Sequence, residues 1–122
     1  MNETTYRFID LQSIKEDTFG DQTMLRMVIE LFIEGIDEYT TTLNSELPNK
    51  NWQALFQATH KLKPNISMFG VFSLESAFLE LESCFRNEEN LHKVDELAQL
   101  CLSTFEQVKV ELQSELKTLP DE

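Results

Sequence analysis

Apolar residues recur at steps of three and four through most of this chain. The longest series is Leu25, Val28, Ile29, Phe32, Ile36, Tyr39, Leu43 and Leu47. That spacing predicts a long amphipathic helix with one buried stripe. Asp21 stands where an N-cap belongs, after the break at Thr18-Phe19-Gly20, and Leu47-Pro48-Asn49 supplies the stop. Gly35 inside the helix costs about 1 kcal/mol relative to alanine and permits a close crossing by a neighbour.

Three further series follow. Trp52, Leu55, Phe56, Leu62 and Ile66 mark a third helix, with Asn49 or Asn51 as cap and an end near Gly70. Leu74, Ala77, Phe78, Leu81 and Phe85 mark a fourth, with Ser73 as cap. The polar run Arg86-Asn87-Glu88-Glu89-Asn90 reads as a connection with Asn90 capping the next helix. Val94, Leu97, Ala98, Cys101, Phe105, Val108, Leu112 and Leu116 mark the last, which stops before Pro120. Upstream, Phe8 to Leu11 with Ile14 predict a short first helix or turn across one end. No segment alternates as a strand does. Short links make neighbours antiparallel, so the expected architecture is all-α: an up-down four-helix bundle with a short extra N-terminal helix. The expected organisation is a flexible tail at residues 1–7 and one helical domain over 8–119.

Composition narrows the function classes. The chain has 122 residues, three glycines, three prolines and a net charge of −12. That length supports a single core burying about two thirds of the unfolded surface. The negative charge argues against nucleic acid, which needs a basic stripe, and against an anionic membrane surface. There is no apolar run of membrane-spanning length and no signal peptide, so the expected location is cytoplasmic. The initial Met favours a free-standing protein, and a monomer is expected. Cys84 and Cys101 lack metal-ligand spacing and fall near apolar stripes, so buried free thiols are expected. Glu89-Asn90-Leu91-His92 has the Glu-x-x-His spacing of di-iron bundles, but it occurs once and lacks the partner carboxylates, so no metal is expected.

Candidate chemistry gathers in Gln57-Ala58-Thr59-His60-Lys61-Leu62-Lys63-Pro64-Asn65-Ile66-Ser67-Met68-Phe69-Gly70. On a helix, His60, Lys63, Pro64 and Ser67 share a stripe, while Leu55, Thr59, Leu62, Ile66 and Phe69 share the buried one. An imidazole at the margin of a rigid helix, with an ammonium one turn on, suits reversible phosphorylation. The neutral ring nitrogen is the nucleophile, and the lysine holds phosphoryl oxygens.

The His60-x-Leu62-Lys63 pattern, the run to Gly70, then Leu74, Phe78 and Leu81-Glu82 with Arg86, resembles the histidine-containing phosphotransfer (HPt) domain. The resemblance covers most of the chain from about Asp21 onward. It implies a phosphocarrier in a two-component phosphorelay. His60 is then the phosphoacceptor and Lys63 the stabilising cation, with Gly70 as the turn and Arg86 near the site. Arg86 also stands at i+4 from Glu82, and an ordinary intrahelical pair accounts for it equally well. Ser67, Gln57, Lys61 and Pro64 are further candidates: Gln57 and Lys61 on the rim, Ser67 a turn beyond Lys63. Two positions depart from the family pattern. Thr59 stands where alanine usually does. Pro64 stands where glycine does, and it predicts a bend or loosening at Lys63–Pro64, because proline has no N–H for the His60 carbonyl.

The implied partners are response-regulator receiver domains and a hybrid sensor histidine kinase. No cofactor of its own is expected, since Mg²⁺ comes with the receiver. No nucleotide loop or kinase signature is present, so the chain is expected not to be an enzyme using ATP. The alternative is a helical adaptor that binds a receiver or kinase without carrying phosphate.

Overall fold

A computed structural model describes residues 6–119. Five helices account for the described residues without any strand: α1 (Gln12–Asp17), α2 (Gln22–Asn49), α3 (Trp52–Met68), α4 (Phe72–Asn87) and α5 (Val94–Leu116). The expected stop at Pro120 and the first five residues of the expected tail lie outside the described part. The remaining two tail residues are docked on α5: Tyr6 Oη donates to Glu115 at 2.7 Å and the Arg7 amide donates to Glu111 at 2.9 Å.

The long helices form an antiparallel ring in which α2 and α4 each pack against α3 and α5. Phe32 of α2 stacks on Phe69 beyond α3, with centroids 4.4 Å apart, and Tyr39, Phe78 and Phe105 meet in the centre. The stripes read from the sequence are the buried ones, and Cys84 and Cys101 are free and buried among them. A Cβ on Gly35 would come within 3.2 Å of Leu62 Cδ1, so α2 and α3 do cross closely there.

Helix ends follow local chemistry, with corrections. Asp21 and Asn51 cap α2 and α3 by accepting from the Met24 and Ala54 amides. Ser73 does not cap α4: the helix begins two residues earlier than that, Val71 takes the N-cap position, and no side chain caps it. Pro48 lies inside the last turn of α2, where Lys50 ends the helix in the left-handed conformation. Arg86 and Asn87 remain in α4 rather than in the link, and Asn90 precedes a short 3-10 turn, Leu91–Lys93, instead of capping α5.

The end of α3 is fixed by two contacts. Gly70 adopts φ +64°, its amide bonds to Ser67 and that of Val71 to Ile66, a Schellman arrangement. A Cβ on Gly70 would lie 2.6 Å from Asp10, whose amide donates to the Phe69 carbonyl. The predicted loosening at Pro64 does not interrupt α3, which runs helical through Pro64 to Met68.

Candidate functional site

His60 projects from the middle of α3 with 60% of its side chain exposed. Opposite it, on α4, is Glu82, a carboxylate only 4% exposed. Its two oxygens are divided. Glu82 Oε2 lies 2.7 Å from His60 Nδ1, and Oε1 lies 2.9 Å from Lys63 Nζ. Arg86, one turn further along α4, places a guanidinium nitrogen 3.9 Å from Oε2. One buried carboxylate thus faces three potential cations from two helices.

Burial pushes the Glu82 carboxyl up, but hydrogen bonds from His60 and Lys63, with the charges of Lys63 and Arg86, outweigh it and hold it below the ordinary value. Glu82 is therefore an anion at neutral pH and can only accept hydrogen bonds. His60 Nδ1 must carry the proton, which leaves the lone pair on Nε2. Exposure of the ring leaves that nitrogen open to a partner. The Phe56 ring, one turn earlier on α3, stacks on the imidazole with centroids 5.5 Å apart. The Arg86 guanidinium sits 5.3 Å from the centroid of the same ring.

Behind His60, Thr59 is fully buried. Its hydroxyl donates to the Leu55 carbonyl at 2.8 Å, so the Tyr39 phenol, 2.9 Å away, donates to it in turn. Burial pushes the Tyr39 hydroxyl well above its ordinary value, so it stays a donor. The departure from alanine at this position gives Tyr39 its partner.

The other candidates separate. Lys61 turns toward α2 and lies 3.9 Å from Glu38. Ser67 donates to Glu75 at 3.3 Å, away from the carboxylate cluster. Pro64 is exposed beside Lys63, and Gln57 is exposed and takes no part in the cluster. Gly70 serves the end of α3 rather than the site. His92 lies on the exposed 3-10 turn, and no His, Cys, Asp or Glu grouping among the described residues has the form of a metal site.

Glu82, which the structure places at the centre of this cluster, entered the sequence reading only as part of the Leu81-Glu82 pattern and as a neighbour of Arg86. Its signal was a carboxylate set among Leu74, Phe78, Leu81 and Phe85, where the stripe is otherwise apolar.

A family model described as Hpt domain matches residues 27–121. No curated protein and no solved structure matches the chain.

Proposed function

The chain belongs to the Hpt domain family, and on that premise we propose that it is a phosphocarrier that accepts a phosphoryl group on His60 Nε2 and passes it to a response regulator. The observation that carries this reading is the 2.7 Å bond between His60 Nδ1 and buried Glu82. A fixed Nδ1–H makes the outward nitrogen the nucleophile before any partner arrives, so less ordering remains for the reaction itself.

In the forward step the Nε2 lone pair attacks phosphorus of a receiver aspartyl phosphate. The N–P bond forms as the P–O bond to the aspartate breaks, and the electron pair leaves on that carboxylate. Nδ1 keeps its proton and Glu82 balances the charge on the ring. Lys63 faces Glu82 at rest and lies one turn from His60, within reach of a phosphoryl oxygen on Nε2. The receiver supplies Mg²⁺ and the acidic pocket. Reversal onto a second receiver passes the group on, as phosphorelay chemistry resting on position and charge requires. Receiver domains and a hybrid sensor histidine kinase are the partners in this reading, and the location is the cytoplasm.

The docking surface is assigned to the α2–α3 flank beside His60. Glu38 faces Lys61. Two turns from each, on the same stripes, stand Leu31 and Met68, both large apolar side chains exposed to solvent. Such a mixed face suits a receiver, whose binding is then expected to survive moderate salt.

The test is phosphate uptake from a phosphorylated receiver domain, read as acid-labile label. His60→Gln is expected to abolish uptake and to cost about 1–3 kcal/mol of stability, because it disturbs the hydrogen bond to buried Glu82. Label persisting on the variant would place the acceptor elsewhere. An unlabelled parent that still binds the receiver would identify an adaptor instead.

A further inference from the structure

Phe56 is the one aromatic ring that touches both a proposed reacting group and a cation of the site. Its ring stacks on His60 with centroids 5.5 Å apart and planes 24° from parallel. The Arg86 guanidinium carbon lies 5.3 Å from its centroid. Arg86 reaches to 3.9 Å from Glu82 Oε2, the oxygen that holds His60 Nδ1. Phe56, His60, Glu82 and Arg86 therefore form a closed loop of contacts between α3 and α4.

Phe56 is only half-buried, packed against the edge of the core. An aliphatic side chain would cover that edge equally well. What a benzene ring adds is a flat surface with a negative face. The flat surface limits tilting of the imidazole about the axis of its hydrogen bond to Glu82, a motion that this single bond leaves open. The negative face attracts a guanidinium, and it attracts an imidazole that has gained positive charge. Both are needed in the proposed step. When Nε2 bonds to phosphorus and Nδ1 keeps its proton, the ring carries a positive charge. The phosphoryl group brings roughly −1.5 to −2 charges, and a cation waiting nearby offsets them. Arg86 is loosely held at rest: 3.9 Å is long for an ion pair, and just over half of its side chain is exposed.

We propose that Phe56 is a positioning residue: its ring holds the His60 imidazole with Nε2 outward and keeps Arg86 beside it, ready to meet the phosphoryl group. This rests on the phosphocarrier reading for its kinetic consequence, but the positioning itself is independent of it.

The experiment uses the full chain with Phe56→Leu, Phe56→Tyr and Arg86→Gln. The first readout needs no phosphate. The imidazole ¹⁵N spectrum of His60 reports how the proton is shared between the two nitrogens, and the ring proton shifts report stacking. Phe56→Leu is expected to lose the stacking shift while Glu82 keeps the proton on Nδ1. Phe56→Tyr, which keeps the ring, is expected to match the parent. The second readout is transfer from a phosphorylated receiver. Phe56→Leu is expected to slow it about tenfold, equivalent to about 1.4 kcal/mol in the barrier. Phe56→Tyr is expected to restore the rate. Arg86→Gln is expected to keep the parent imidazole spectrum and shorten the phosphohistidine lifetime. A Leu variant with the parent spectrum and rate would overturn the proposal. So would equal slowing by Leu and Tyr, since that would assign Phe56 to packing alone. If the parent takes no phosphate but the spectra change as expected, the phosphocarrier reading fails and the positioning stands.

Discussion

At the scale of single residues, the site depends on one carboxylate and one hydroxyl pair. Glu82→Gln keeps a hydrogen-bond acceptor but removes the charge that fixes the His60 proton on Nδ1. Transfer is expected to slow toward 100-fold, the cost of a reacting group displaced by about 1 Å, measured by rapid quench against the parent. The same residue gives a pH signature. Its carboxyl is held below the ordinary 4.5. A depressed carboxyl stabilises the fold fully above its unfolded value, and that contribution is lost as pH falls through the lower folded value. The melting temperature of the parent, relative to Glu82→Gln, is therefore expected to be constant above about pH 5 and to fall below about pH 4.5. A constant difference down to pH 3 would remove Glu82 from the account. Thr59 and Tyr39 form the second pair. Thr59→Ala is expected to cost about 1–3 kcal/mol by leaving the buried phenol without an acceptor. Adding Tyr39→Phe is expected to recover part of that loss, so a denaturant-unfolding cycle is expected to be non-additive. Additive losses would mean that the hydrogen bond contributes little.

At the scale of helices, α3 carries the proposed phosphoacceptor and also the feature least suited to a helix. Pro64 denies the His60 carbonyl its usual donor, yet α3 continues to Met68. Packing of Ile66 and Phe69 in the core and the Schellman end at Gly70 hold the last turn. Pro64→Ala restores the donor and is expected to stabilise the chain, by up to about 3 kcal/mol if the proline is fully resisted. Denaturant unfolding measures this, and an unchanged or lowered stability would mean that the helix has already relaxed around the ring. The four long helices were legible in the sequence because each buries a stripe at three- and four-residue steps, and His60 was legible because it falls outside that stripe. Glu82 was not, because periodicity within α4 says nothing about which side chain of α3 it will face. Capping was legible where Asp21 and Asn51 precede their helices, and misread where Ser73 stands two residues past Val71, the actual N-cap.

At the scale of the molecule, the segment before α1 ties the bundle together. The Glu111 carboxylate accepts from the successive amides of Arg7, Phe8 and Ile9. Glu115 is held by Tyr6 and Lys15, and Asp10 reaches the Phe69 carbonyl at the end of α3. The sequence placed Phe8 to Leu11 across one end but not these contacts, because the partners of residues 6–9 lie about a hundred residues away in sequence. Glu111→Ala leaves three amides without their acceptor. It is expected to cost about 1–3 kcal/mol and to speed hydrogen exchange at Arg7, Phe8 and Ile9. Exchange at the parent rate would show that the segment is held by Ile9 and Leu11 in the core instead. One aromatic contact gives the whole assembly a voice of its own. Trp52, the single tryptophan, stands on α3 two turns before His60, and its indole stacks on Phe85 of α4 at 6.1 Å. The helix bearing the imidazole and the helix bearing its carboxylate therefore meet at the only strong fluorophore in the chain. Any change in their separation on the proposed phosphorylation or receiver docking is expected to alter the indole's surroundings, so emission colour becomes a label-free clock for the proposed reaction.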